Sequence, residues 1–239
     1  MHSAILCGGE GSRLRPLTYA VPKPLLPLGS KPILEVTITK MREQGFNKFY
    51  LMVNYKADMI RSYFGSGSSF GVEIEYYEEK EKRGTAGPLS QIGARINFPL
   101  LVLNADILTS LNFKKLIEFH NKTSADLTIA LKQFERRIAY GVVEIDDESV
   151  ITQLREKPTL NFLINSGIYV LSPSVMQLIP EQGIYAMTTL VEDSIAKNFK
   201  VRGYEFTDPW RDIGRLDDYM KALGDFENGT EPDTEGVFV

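Results

Sequence analysis

Ile5-Leu6-Cys7-Gly8-Gly9-Glu10-Gly11-Ser12-Arg13-Leu14-Arg15-Pro16-Leu17-Thr18, followed closely by Pro22-Lys23-Pro24, sets an apolar strand against a glycine-rich turn, two arginines and a lysine on a stiff backbone. Backbone N–H groups of such a turn can converge on phosphate oxygens because no Cβ blocks the approach, and Arg and Lys neutralise charge that dipoles alone cannot. The pattern therefore predicts a site for an anion with several phosphates, as in a nucleoside triphosphate. It is neither G-x-G-x-x-G, because Leu14 stands at the third glycine position, nor a P-loop, because no Gly-Lys-Ser/Thr occurs nearby. A plain strand-to-helix turn would leave Arg13, Arg15 and Lys23 without a reason to cluster.

Working outward, apolar runs of strand length alternate with helical periods. Ser3 to Leu6, Phe49 to Val53, Val72 to Tyr77, Leu100 to Leu103, Leu127 to Leu131, Gly141 to Ile145, Val150 to Arg155, Ile164 to Leu171 and Val201 to Phe206 read as strands. Pro32 to Gln44 reads as a helix, with Ile33, Leu34, Ile38 and Met41 on one stripe, proline at its start and Gly45 at its end. Ala57 to Phe64, Pro88 to Arg95, Phe113 to Lys122, Thr188 to Asn198 and Leu216 to Phe226 are the other helical segments. Alternation of this kind predicts a parallel sheet covered on both faces, with a ligand at the carboxyl ends of its strands. The consecutive strands of the second half predict that the sheet becomes mixed there and forms the acceptor side.

The 239 residues are enough for one sizeable core, read as a single domain over residues 1–226 followed by a polar segment, 227–239, expected to be a loose tail or a short contact in a homo-oligomer. A net charge of -4 argues against a nucleic-acid polymer as partner, and the basic residues near the N-terminus point to a local anion site instead. The single cysteine, Cys7, excludes an internal disulfide and fits a reducing, cytoplasmic setting. No apolar run approaches the roughly 18 residues that span a bilayer, so a membrane role is not expected. His2 and His120 fall in no nucleophile motif and read as surface residues.

Further segments extend the picture: Lys31-Pro32-Ile33-Leu34, Gly84-Thr85-Ala86-Gly87-Pro88-Leu89, Asn104-Ala105-Asp106, Tyr140-Gly141-Val142-Val143, Glu156-Lys157-Pro158, Asn165-Ser166-Gly167 and Trp210-Arg211-Asp212-Ile213-Gly214. Together with the opening stretch they resemble, in order and spacing, the signatures of the sugar-1-phosphate nucleotidyltransferases, over residues 3 to about 226. The resemblance implies a Rossmann-like three-layer α/β/α fold around a mixed, mostly parallel sheet. It implies an enzyme that joins a nucleoside triphosphate to a sugar 1-phosphate and releases pyrophosphate.

Such a transfer holds an attacking phosphate oxygen, an α-phosphorus and a leaving pyrophosphate in line. A sugar 1-phosphate, with a second pKa of about 6, is already largely a dianion at neutral pH, so no general base is needed. The resemblance assigns the nucleotide to Leu6, Gly8, Gly9, Gly11, Ser12, Arg13, Gly84, Thr85, Ala86, Asn104 and Asp106. It assigns the catalytic cations to Arg13, Lys23 and Lys157. Arg13 is the expected holder of the departing pyrophosphate, since its planar fork can meet charge as it accumulates. The sugar is assigned to Tyr140, Gly141, Glu156, Lys157 and Asn165. Asp106 and Asp212 are expected to hold Mg²⁺, which is typically bound by one or two carboxylates plus substrate phosphates. One departure stands out: Ala105 occupies the middle of a motif that usually reads Asn-Gly-Asp, so easy access to positive φ is lost there.

The segment Glu78-Glu79-Lys80-Glu81-Lys82-Arg83 before the Gly84 loop lacks the glutamine that thymidylyl and uridylyl members tend to place there. The chain is most similar to the mannose-1-phosphate guanylyltransferase branch, which implies GTP and a manno-configured sugar 1-phosphate. The alternatives are uridylyl or thymidylyl transfer to glucose 1-phosphate or a related sugar, and a non-catalytic sugar-nucleotide-binding regulatory subunit. A glycosyltransferase would want an Asp-x-Asp motif at a strand end, where this chain offers only Asn104-Ala105-Asp106.

Overall fold

The computed structural model describes residues 1–228. Its main sheet has seven strands: β1 (His2–Leu6), β2 (Lys48–Val53), β3 (Glu73–Glu78), β4 (Leu100–Asn104), β5 (Leu127–Arg137), β6 (Thr159–Leu171) and β7 (Val201–Phe206), in the order β7-β5-β6-β4-β1-β2-β3. All run parallel except β6, which pairs antiparallel with β4 on one side and β5 on the other. The mixed, mostly parallel sheet expected from the alternation of the first half and the consecutive strands of the second is therefore present.

Central strands are apolar throughout because both faces are covered. Ile5, Leu51, Leu101 and Leu103 point to one face and join a core with α1 (Ile33–Glu43), α2 (Ala57–Phe64) and α3 (Phe113–Lys122). Ala4, Tyr50, Met52, Leu100 and Val102 point to the other, where α4 (Met187–Ala196) and shorter helical turns cover them. A third, smaller core joins Leu14, Leu26, Leu28, Ile33, Leu108 and Ile213 to Tyr219 and Ala222 of α5 (Leu216–Glu227).

Local signals explain the element ends. α1 closes in a Schellman arrangement: Phe46 N–H donates to Met41 O at 3.1 Å and Gly45 N–H to Arg42 O at 2.8 Å, with Gly45 at φ +87°. Phe46 and Met41 are both buried, the apolar contact that accompanies this cap. α3 opens on Asn112, whose side chain accepts from Lys115 N–H at 3.1 Å.

Several expectations are corrected. Pro88 to Arg95 is not one helix but a 3₁₀ turn, Gly87–Leu89, leading into a single α turn, Ser90–Gly93. Val142–Ile145 and Ile151–Arg155 form a separate two-stranded hairpin outside the main sheet. His120 is no surface residue: it is 1% exposed, and its ring meets Thr128 Oγ1 at 2.8 Å and Ser172 Oγ at 3.0 Å. Its position seven residues after Phe113 and four after Leu116 places it on the buried stripe of α3. His2 is half-buried, 3.1 Å from Tyr50 Oη and edge-on to Phe98. The expected tail lies outside the described residues apart from Glu227, which ends α5, and Asn228.

Candidate functional site

The carboxyl ends of β1, β2, β3 and β4 face one cavity of about 470 Å³. Leu6, Met52 and Asn104 contribute from the strand ends, the glycine loop Gly8 to Ser12 and the segment Glu79 to Thr85 line it from β1 and β3, and Lys23 and Asp106 complete it. This is where an open α/β sheet takes its ligands, and a cavity of this volume falls in the range that accepts a nucleotide-sized molecule.

The glycines of the loop have different reasons. Gly11 has φ +61°, and a Cβ there would come within 2.8 Å of Thr18 Cγ2, so the fold itself demands glycine. Gly8 leaves room for a carboxylate, since its Cβ would lie 2.7 Å from Glu79 Oε1. Gly9 is exposed with nothing within 4 Å of such a Cβ, so no protein atom requires its small size. Thr18 Oγ1 donates to Gly11 O at 2.8 Å and closes the loop on itself.

Lys23, in the short 3₁₀ turn Lys23–Leu25, forms an ion pair with Asp106 Oδ2, its side chain only 12% exposed. The other oxygen, Asp106 Oδ1, is buried and has no hydrogen-bond partner. Asp212 reaches the same place through a short antiparallel ladder in which Trp210–Asp212 pairs with Ile107–Thr109, Asp212 opposite Ile107. Ile213 N–H then donates to Asp106 O at 3.0 Å. Asp212 keeps access to solvent, yet its carboxyl is pushed up to about 6, by desolvation first and by the charge of Asp106 second, against the opposing pull of Lys23 and Arg13. The Asp212 carboxyl beside an Asp106 oxygen that is buried without a donor makes a pair suited to a divalent cation.

Arg13 lies on the turn Ser12–Leu14 beside this pair, its Nη1 3.7 Å from where a Gly214 Cβ would stand. Ala105 takes no positive φ, its N–H donates to Leu6 O at 3.1 Å and its methyl group is buried, so the departure from Asn-Gly-Asp carries no backbone strain.

Among the residues assigned to the nucleotide, Leu6, Gly8, Gly9, Gly11, Ser12, Gly84, Thr85, Asn104 and Asp106 line the cavity; Arg13 stands beside it. Ala86 is fully buried in the core beneath. Gly84, at φ +77°, lies so close to Tyr185 that a Cβ would come within 2.7 Å of its carbonyl oxygen, and Thr85 Oγ1 accepts from Met187 N–H at 2.7 Å. The second wall is thus pinned to the start of α4.

The sugar-side residues do not line this cavity. Tyr140 is 78% exposed, and Glu156 and Lys157 are exposed at the base of the hairpin, 3.8 Å apart, with Lys157 at φ +45°. Gly141 packs against the same hairpin: a Cβ there would meet Glu156 Oε2 at 3.0 Å. Asn165 holds an irregularity of β6, its amide donating to Tyr169 Oη at 2.7 Å and accepting from Gly167 N–H at 3.0 Å.

Glu79 is a cavity residue that the motif reading passed over. It is 9% exposed, accepts Arg83 N–H at 2.9 Å through Oε2, and has its pKa raised by burial. Its placement at the first position after β3 was the available signal. Glu10 and Lys82, 2.6 Å apart, join the two loops across the cavity. Cys7 is buried and its thiol pKa is pushed far up by burial, consistent with an inert packing residue.

The profile of the nucleotidyl transferase family matches residues 2–229. The chain belongs to that family. It is 31% identical over 237 residues to a mannose-1-phosphate guanylyltransferase of Mycobacterium tuberculosis, covering 96% of this chain and 66% of that protein. It is 32% identical to a UTP–glucose-1-phosphate uridylyltransferase of Synechocystis, covering 93% of this chain and 62% of the relative. The chain thus spans less than two thirds of the length of these curated relatives. Among solved structures, HddC from Yersinia pseudotuberculosis superposes with a TM-score of 0.74 at 27% identity, covering 94% of this chain and 99% of that one. HddC has also been solved in complex with GMP-PN. No described helix is long and apolar enough to cross a membrane.

Proposed function

We propose that this chain transfers a nucleotidyl group from a nucleoside triphosphate to a sugar 1-phosphate, releasing pyrophosphate, with GTP and a manno-configured sugar 1-phosphate as substrates. The observation that carries the proposal is the meeting of Lys23, Asp106, Asp212 and Arg13 beside a glycine loop at the carboxyl ends of four parallel strands. In the reaction a bond forms between a sugar-phosphate oxygen and the α-phosphorus, and the bond from that phosphorus to the pyrophosphate oxygen breaks. The nucleophile has no proton to lose, in keeping with a site without histidine.

Exposed N–H groups around Gly9 would receive phosphate oxygens, and Arg13 would meet the charge that builds on the pyrophosphate. Lys23 is already held by Asp106 before substrate arrives. Asp106 and Asp212 would hold Mg²⁺, which when bound neutralises phosphate charge. We assign the sugar and its phosphate to Tyr140, Gly141, Glu156 and Lys157 at the base of the separate hairpin and to Asn165 on β6.

Glu79 favours guanine. A carboxylate accepts two hydrogen bonds side by side, and guanine offers adjacent N1–H and N2–H donors, whereas uracil and thymine flank their single N–H with carbonyl oxygens that a carboxylate repels. The guanylyltransferase among the relatives supports the same reading, and the uridylyltransferase keeps UTP with glucose 1-phosphate as the second one. A purely regulatory role is disfavoured because the chain keeps Arg13, Lys23 and both aspartates. The buried lone thiol fits work in the cytoplasm.

The test is a pyrophosphate-release screen that crosses four nucleoside triphosphates with several sugar 1-phosphates. Highest turnover with GTP and mannose 1-phosphate is expected; turnover with UTP and glucose 1-phosphate alone would replace the guanine reading.

A further inference from the structure

Arg211 and Asp225 form an ion pair at 2.7 Å, with side chains only 11% and 26% exposed. Arg211 lies between Trp210 and Asp212 in a three-residue strand, so the alternation of side chains sends it to the face opposite Asp212. There it meets Asp225 near the end of α5. Trp210, on the same face as Asp212, donates from Nε1 to Ser166 O at 3.0 Å. The strand that carries Asp212 is therefore gripped from both faces.

α5 also reaches the arm that carries Lys23. Tyr219 Oη donates to Pro27 O at 2.6 Å, and Phe226 packs so closely on Gly29 that a Cβ there would lie 2.4 Å from its ring. Leu26 and Leu28 of that arm share the third core with Ile213, the residue after Asp212. One helix thus ties the strand that carries Asp212 to the arm that carries Lys23.

We propose that the Arg211–Asp225 ion pair is a positioning device that holds Asp212 at the spacing from Asp106 and Lys23 that a divalent cation requires. Neither residue touches the cation or the substrates. The pair acts through the backbone of Asp212, and desolvation offsets much of what a partly buried ion pair contributes to net stability. The inference rests on the proposed nucleotidyl transfer for the identity of the nucleotide that accompanies the cation.

The experiment measures Mn²⁺ binding by electron paramagnetic resonance, using the full chain with a non-reacting α,β-methylene GTP analogue. Asp225→Asn is expected to weaken Mn²⁺ binding roughly ten-fold, the loss typical when a group supporting a metal ligand is removed. Asp225→Glu, which restores the charge, should recover most of it. Leu223→Ala, a packing change on the same helix, should lower the melting temperature and leave Mn²⁺ affinity unchanged. Equal weakening in Leu223→Ala, or unchanged affinity in Asp225→Asn, would overturn the proposal. Should Asp225→Asn fail to fold, Arg211→Lys carries the same expectation of weakened binding, and unchanged affinity there overturns it. Wild-type protein that binds Mn²⁺ with the analogue but makes no sugar nucleotide would remove the proposed reaction and leave the positioning role standing.

Discussion

Asp212 stands beside Asp106 across one short ladder, and desolvation, joined by the charge of Asp106, pushes the Asp212 carboxyl up to about 6. The native protein thus binds this proton more tightly than the unfolded chain, whose carboxyl titrates near 3.8. The resulting stabilisation is full at low pH and is lost as pH rises through about 6. Without metal at pH 7.5, Asp212→Asn should therefore raise stability, by no more than about 1 kcal/mol given the solvent access of this side chain, and should make little difference at pH 4. Thermal melts in chelator check this. The same variant should lose orders of magnitude in turnover.

Gly9 and Gly11 should separate ligand binding from folding. Gly11→Ala places a methyl group against Thr18 in a left-handed conformation and should cost about 1–3 kcal/mol in a denaturant melt. Gly9→Ala meets open space and should melt like the wild type while weakening triphosphate binding. Similar melts for the two variants would contradict this division.

Glu79→Gln exchanges a two-acceptor group for one acceptor and one donor. Loss of one hydrogen bond to guanine should lower kcat/KM for GTP by roughly ten- to a hundred-fold, about 1–3 kcal/mol, and narrow the gap to UTP. Unchanged preference in a nucleotide competition assay would move base recognition elsewhere.

His120 is held neutral by burial, its pKa below the ordinary 6.5. The unfolded chain takes up a proton more readily, so stability present above about pH 6.5 is lost as the solution is acidified below it. Between pH 7.5 and pH 5 the melting temperature of the wild type should therefore decline relative to that of His120→Gln, whatever the variant's starting level; a constant difference would contradict this.

Much of this was legible in the sequence for physical reasons. Strands buried on both faces read as continuous apolar runs, and Gly45 after a periodic stripe marks the end of α1 without ambiguity. The glycine loop proposed to take the triphosphate was visible because Gly11, Arg13 and Lys23 are close in the chain. Contacts between distant segments were not. Trp210–Asp212 and Ile107–Thr109 are too short to show a strand period, so the ladder that brings Asp212 beside Asp106 appears only after folding. Glu79 was hidden in a run of charges that reads as a solvated loop, although the backbone turns this one carboxylate inward. The absence of a nucleophile motif says nothing of the burial of His120, whereas its spacing from Phe113 and Leu116 places it on the buried stripe.

The most direct measurement counts products: with GTP, mannose 1-phosphate and Mg²⁺, pyrophosphate and a GDP-sugar are quantified together over time, with Asp106→Asn and Asp212→Asn as controls. Equal amounts of the two products, abolished by chelator and reduced by orders of magnitude in both variants, are predicted. Pyrophosphate without a sugar nucleotide, or undiminished turnover in either variant, would contradict the site described.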